Sequence, residues 1–107
     1  MKSQRINLCD MSNDTNHFEL EAEVSGNRLT LIGEFTHLNN ALIKKTGSSE
    51  YYYFLDEENT DKFFHSIHAK NFDLEAMKEK FNGLYASSDF REFCTANQIK
   101  YAFYNIA

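Results

Sequence analysis

Several groups of residues in this 107-residue chain have types and spacings that could do chemistry. Glu19, Glu21 and Glu23 alternate with Leu20, Ala22 and Val24. On a strand, alternate residues share one face and stand about 6.6–6.8 Å apart. That spacing is comparable with the phosphates of an extended single-stranded nucleic acid. Such a ladder, with Glu34 alongside on a neighbouring strand, could imitate the backbone and occupy a basic groove. The plainer reading of the same residues is a solvated strand face.

A second acidic group, Asp56, Glu57, Glu58 and Asp61, could hold a divalent cation or supply paired carboxylates for acid–base work. Its place at the start of a helix accounts for it as an N-cap and complement to the helix dipole. His65 and His68, at i and i+3, could grip a metal between two imidazoles. The natural further ligands, Glu57, Glu58 and Asp61, lie a turn or more away, and a helix C-terminus favours histidine by itself. Cys94 could be a nucleophile beside a histidine from elsewhere. Its position in the Phe90/Phe93 stripe favours a small buried hydrophobe instead. Cys9 has no partner pattern. Phosphate-cradling glycine loops, cysteine pairs and Ser/His/Asp spacings are missing from the sequence. The expectation is therefore a binding protein and not an enzyme, with no metal and no cofactor.

The elements that must position these residues follow from periodicity. Residues 1–16 carry one short apolar patch, Ile6 to Cys9, and read as a loose tail or an edge strand. Residues 17–107 read as a single domain. His17 to Val24 alternates with period 2, as a half-buried strand does. Ser25-Gly26-Asn27 supplies turn chemistry, and a second alternating run follows with Leu29, Leu31 and Phe35 facing inward. Gly33 suggests a bulge. Thr36 then resembles the N-cap of a short helix, His37 to Lys45, with Leu38, Ala41 and Leu42 at helical spacing and Gly47 as the stop.

Glu50 to Phe64 forms the centre of the chain. Tyr51, Tyr53 and Leu55 share one strand face, and Tyr52 and Phe54 the other. Asp56 caps a helix running to about His68, with Thr60, Phe63, Phe64 and Ile67 as its buried stripe. Asp73 caps the next, bearing Leu74, Met77 and Phe81, and Asn82-Gly83 ends it. Ser87 or Ser88 starts a last helix with Phe90, Phe93 and Cys94, ending near Asn97. Ile99 to Ile106 alternates as a closing strand. The expected order is β-β-α-β-α-α-α-β, an α+β domain whose antiparallel or mixed sheet is packed by helices.

Composition bounds the functional classes. Hydrophobic residues make up 42% and charged residues 25%, the ordinary globular range. Ten Phe and six Tyr with no Trp give an aromatic core. The net charge of −5 argues against nonspecific binding to nucleic acid or anionic membrane, both of which need clustered Lys and Arg. It suits a basic partner surface instead. Met1 to Asp10 lack the apolar segment of a secretory signal, and no apolar run approaches the ~18–20 residues of a membrane span. A cytoplasmic location with reduced thiols is the expectation.

The stretch Tyr52-Tyr53-Phe54-Leu55-Asp56-Glu57-Glu58-Asn59-Thr60-Asp61-Lys62-Phe63 resembles a pattern in small uncharacterised bacterial proteins. In those, an aromatic strand runs into Asp-x-Glu-Asn-Thr-x-Lys-hydrophobic. Phe90-Arg91-Glu92-Phe93-Cys94 and Ile99-Lys100-Tyr101-x-Phe103 are similar to the end of the same proteins. The resemblance covers roughly residues 28–105. It implies a shared fold, and those proteins carry no activity that could be transferred.

The leading expectation is a small cytoplasmic protein that binds and inhibits a basic protein. That partner would be a nuclease or another nucleic-acid-binding effector, as a toxin-immunity protein or a phage-encoded inhibitor of a defence nuclease would require. The residues expected to carry it are Glu19, Glu21, Glu23 and Glu34, with Tyr52 and Tyr104 as aromatic anchors. The alternative is a structural or regulatory interaction module, a homodimer built on an exposed sheet edge or on the aromatic strand.

Overall fold

The computed structural model describes residues 3–39 and 44–106. A five-stranded sheet contains β1 (Gln4–Ser12), β2 (Asn16–Ser25), β3 (Arg28–Asn39), β4 (Lys44–Phe54) and β5 (Ala102–Ile106). The strands lie in chain order and every neighbouring pair is antiparallel. Between β4 and β5 the chain forms α1 (Glu57–Ser66), α2 (Leu74–Lys80) and α3 (Ala86–Ala96). The protein is an α+β domain, and none of its described helices is long and apolar enough to cross a membrane.

The period-2 pattern works as expected on β2 and β3. Leu20, Ala22, Leu29 and Leu31 are fully buried in one core with Phe63 and Phe64 of α1 and Phe90 of α3. Gly26 and Asn27 have φ of 58° and 61°, so both central residues of the β2–β3 turn occupy the left-handed region that a type I′ hairpin needs. Asn13 makes the preceding turn, its side-chain oxygen accepting the backbone N–H groups of Thr15 (2.9 Å) and Asn16 (2.8 Å). The N-terminal segment supplies the edge strand β1.

The described part of the expected helix over 37–45 is strand: residues 37–39 belong to β3 and 44–45 to β4. Thr36 is a buried strand residue and not a helix cap, and β3 continues through His37 and Leu38, which pair with Gly47 and Lys45 of β4. The spacing of Leu38, Ala41 and Leu42 is too short a pattern to outweigh long-range pairing with β4. Residues 40–43, including Ala41 and Leu42, lie outside the described residues. Gly33 also makes no bulge: it pairs with Tyr51 across β3 and β4, and the Tyr51 ring lies where a Cβ would project.

The real bulges are elsewhere. One falls in β1, where Asn7 pairs with Glu21 but Cys9 pairs with Leu20. Leu8 is the extra residue, so Leu8 and Cys9 are both buried. The carbonyl of Leu8 accepts the Gly83 N–H at 3.1 Å, which fastens β1 to the α2–α3 connection.

The Asp56-to-Thr60 stretch ties the helical layer to the sheet. Asp56 accepts the Asn59 backbone N–H at 2.8 Å and its side-chain amide at 2.9 Å. The buried Asn59 in turn accepts the Lys100 N–H at 2.8 Å, holding the approach to β5. Thr60, fully buried, accepts the Leu29 N–H at 2.9 Å and so anchors the start of β3. Asp73 caps α2 through the Ala76 N–H. Neither Ser87 nor Ser88 caps α3, which begins at Ala86; the Ser87 hydroxyl bonds the Tyr51 hydroxyl at 2.6 Å.

Candidate protein-binding face

With the helices on one side of the sheet, alternation sends the other residues of each strand to the open side. Glu19, Glu21 and Glu23 lie opposite the buried Leu20, Ala22 and Val24, and the register carries their side across the sheet. Glu19 pairs with Asp10 on β1 and with Glu34 on β3, and Glu34 pairs with Glu50 on β4. Directly paired residues share a face. Four adjacent strands therefore present a transverse row of carboxylates: Asp10, Glu19, Glu34 and Glu50.

The next row runs Asn7, Glu21, Ile32, Tyr52 and Tyr104, and the one beyond it Arg5, Glu23, Thr30, Phe54 and Ala102. Glu19, Glu21, Glu23, Glu34, Tyr52 and Tyr104 thus lie on a single surface, acidic over β1–β3 and aromatic over β4–β5. Tyr52 and Phe54 stack at 5.6 Å with an interplanar angle of 9°. Tyr104 stands edge-on to Phe54 at 6.3 Å, and is 65% exposed.

Local pairing divides the glutamates. Arg5 reaches Glu23 at 2.9 Å and Glu21 at 3.5 Å, so the longitudinal ladder is partly neutralised from the edge strand. Asp10 and Glu19 instead meet His17, whose Nε2 lies 2.8 Å and 3.5 Å from their carboxylate oxygens. The hydrogen bond to Asp10 raises the His17 pKa above the ordinary imidazole value. Tyr52 donates to Glu50, and that bond raises the tyrosine pKa, since ionising the phenol would set two anions together. The acidic and aromatic halves are joined at this contact.

At the opposite end of the aromatic half lies a pocket of about 470 Å³, its walls including Arg28, Thr30, Phe54, Asp56, Lys100 and Ala102. This pocket brings two cations, Arg28 and Lys100, together with the Asp56 carboxylate.

Other candidates stand outside the carboxylate row. His65 is exposed in the last turn of α1, and His68 follows it with φ of 58°. Among the described residues, the potential metal ligands that converge are Asp10, His17 and Glu19, whose ligand atoms lie within 4.8 Å of one another. Asp56 is the cap of α1, and Glu57 and Glu58 occupy its exposed first turn. Cys94 is fully buried, and loss of solvent pushes its thiol up to about 12. Cys9 is a free buried thiol too, also raised by burial.

Reading the sequence missed Asp10, His17, Ile32, Glu50 and Phe54 as members of the face. Period-2 alternation links Glu50 and Phe54 to Tyr52 and was available as a signal. For Asp10 there was none, because the bulge at Leu8 reverses the parity of β1. No protein-family model matches the chain, and no curated protein or solved structure is found to be similar to it.

Proposed function

We propose that the open face of the sheet docks a basic protein, and that the chain acts as a small inhibitor of that partner. The observation that carries this reading is the carboxylate row Asp10, Glu19, Glu34 and Glu50 lying beside Ile32, Tyr52, Phe54 and Tyr104. Like charges set directly opposite on neighbouring strands oppose folding. Carboxylates lined up in this way set a negative field over this part of the face. Charge of one sign steers a basic partner to the face and fixes its orientation, while the adjacent aromatics supply desolvated anchors.

A nucleic-acid-binding effector has a groove of the required sign. Blocking that groove describes an immunity protein or a phage-encoded inhibitor acting in the cytoplasm. The function is binding and not catalysis in this reading. The test is affinity for the partner recovered from the native host, measured for the wild type and for Glu19→Lys combined with Glu34→Lys. The wild-type complex should weaken as salt rises, and the double reversal should abolish both the affinity and its salt dependence. Unchanged affinity in the double variant refutes the reading.

A second reading has its own observation. β5 is a sheet edge without a charge or a bulge between Ala102 and Ile106, and Phe103 and Ile106 are 53% and 55% exposed. Such an edge can pair with a second copy. Light scattering over a concentration series separates the two: a stable dimer lost on Tyr104→Lys favours self-association.

A further inference from the structure

The convergence of Asp10, His17 and Glu19 has a use that partner docking does not require. We propose that these side chains form a binding site for one divalent cation of the zinc class.

All three arise from paired strand backbone. Asp10 stands directly opposite Glu19 across β1 and β2, and Ser12 opposite His17, so the ligands lie two rungs apart on one face of the same hairpin, with the Met11–Phe18 pair between them facing the other way. Asp10 belongs on this face only because Leu8 is inserted as a bulge. Without it, residue 10 would fall on the side of the buried Leu20 and Ala22. Bulges commonly serve to re-aim a side chain in this way.

The geometry fits a small cation. Zinc binds imidazole nitrogen at about 2.0–2.1 Å and carboxylate oxygen at about 2.0–2.2 Å, which sets ligand atoms roughly 3.3 Å apart in tetrahedral coordination. Nε2 of His17 lies 2.8 Å from the Asp10 oxygen and 3.5 Å from the Glu19 oxygen, on either side of that value. All three ligand atoms lie within 4.8 Å of one another, so the carboxylates would rotate to close on the ion. An imidazole among the ligands favours zinc and its transition-metal neighbours over calcium or magnesium, which prefer oxygen alone.

Charge supports the same occupant. Glu34 stands directly opposite Glu19 on β3 and on the same face, which adds a third carboxylate beside the site. A divalent ion would sit among two ligand carboxylates with a third behind them, relieving repulsion along the row. The site is open enough to load, since the side chains of Asp10, His17 and Glu19 are 58%, 30% and 37% exposed. The competing occupant of the Nε2 lone pair is a proton, which leaves an ordinary His–carboxylate ion pair.

The experiment uses the full chain, prepared without an affinity tag and stripped with chelator, and zinc alone as the probe. Calorimetry should show one equivalent bound, the thermal midpoint should rise with zinc, and the His17 Nε2 resonance should shift as a ligated nitrogen. Loss of even an outer partner of a metal ligand weakens binding about 10- to 100-fold. His17→Gln, Asp10→Asn and Glu19→Gln should each weaken binding by at least that much, while His65→Gln with His68→Gln should leave it unchanged. The nitrogen resonance keeps the test decisive if a variant folds poorly. Absence of saturable binding below about 1 mM, an unshifted His17 resonance in the wild type, or binding that survives His17→Gln overturns the proposal.

Discussion

Glu19 and Glu34 stand directly opposite each other on β2 and β3, and Glu34 faces Glu50 in turn on β4. Opposed like charges on neighbouring strands are destabilising, and a cross-strand pair is typically a matter of about 0.2–1 kcal/mol. Glu34→Gln should therefore raise stability by an amount in that range, read from the urea midpoint at low salt. The gain should shrink as salt is added. A loss of stability would show that Glu34 makes contacts outweighing the repulsion.

Gly33 lies beneath the ring of Tyr51, whose hydroxyl is held by Ser87 at 2.6 Å. An aromatic laid over a strand glycine protects its backbone and fills the space of the missing side chain. Gly33→Ala forces the ring off that seat and should destabilise by about 1–3 kcal/mol, the usual range for overpacking. Gly33→Ala combined with Tyr51→Ala should destabilise less than the sum of the single substitutions. Additivity in that cycle would deny the contact.

Thr60 and Leu29 join α1 to β3 through a buried hydrogen bond of 2.9 Å. Thr60→Val keeps the volume but strands the Leu29 N–H away from water. An unsatisfied buried donor costs about 1–3 kcal/mol, and denaturant unfolding should show that loss. Amide exchange at Leu29 should accelerate in the variant. Wild-type protection at Leu29 would mean that another acceptor takes over.

The Asp56 carboxylate is held below its ordinary pKa, first by the Asn59 backbone N–H and then by the Asn59 side chain. A carboxylate whose folded pKa is depressed contributes stability that is fully present above its unfolded value. That contribution disappears as pH falls through the folded pKa. Melting curves should therefore show the wild type losing stability below pH ~4 more steeply than Asp56→Asn, which keeps a capping oxygen but does not titrate. Parallel curves for the two proteins would remove Asp56 from the acid response.

Cys94, with its thiol pushed up to about 12 and its side chain fully buried, should be unreactive in the folded state. Its modification by an aromatic disulfide reagent should proceed at the rate of unfolding and become fast in denaturant. Rapid modification under native conditions would reveal an opening that exposes α3.

Legibility of the fold tracked how local each determinant is. The β2–β3 hairpin was readable because alternation, Gly26 and Asn27 all act within a few residues of one another. Asp56 and Asp73 were readable as caps, since each accepts from a backbone N–H three residues on. The segment around Thr36 was not, because its strand conformation depends on β4, and a few apolar residues at helical spacing do not reveal a distant partner. The placing of Asn59 and Thr60 as clamps on Lys100 and Leu29 likewise depends on contacts far away in the chain.

The candidate face divides in the same way. The sequence by itself determined that Glu19, Glu21 and Glu23 share one side of a strand and that Tyr52 is opposite in facing to Tyr53, since pleating makes that a matter of parity. Only the tertiary structure decided that Glu34, Glu50 and Asp10 extend Glu19 into a row across the sheet, and that Arg5 pairs with Glu21 and Glu23. The physical reason is register: strand pairing is a long-range choice, and a single bulge at Leu8 reverses which side of the sheet Asp10 occupies.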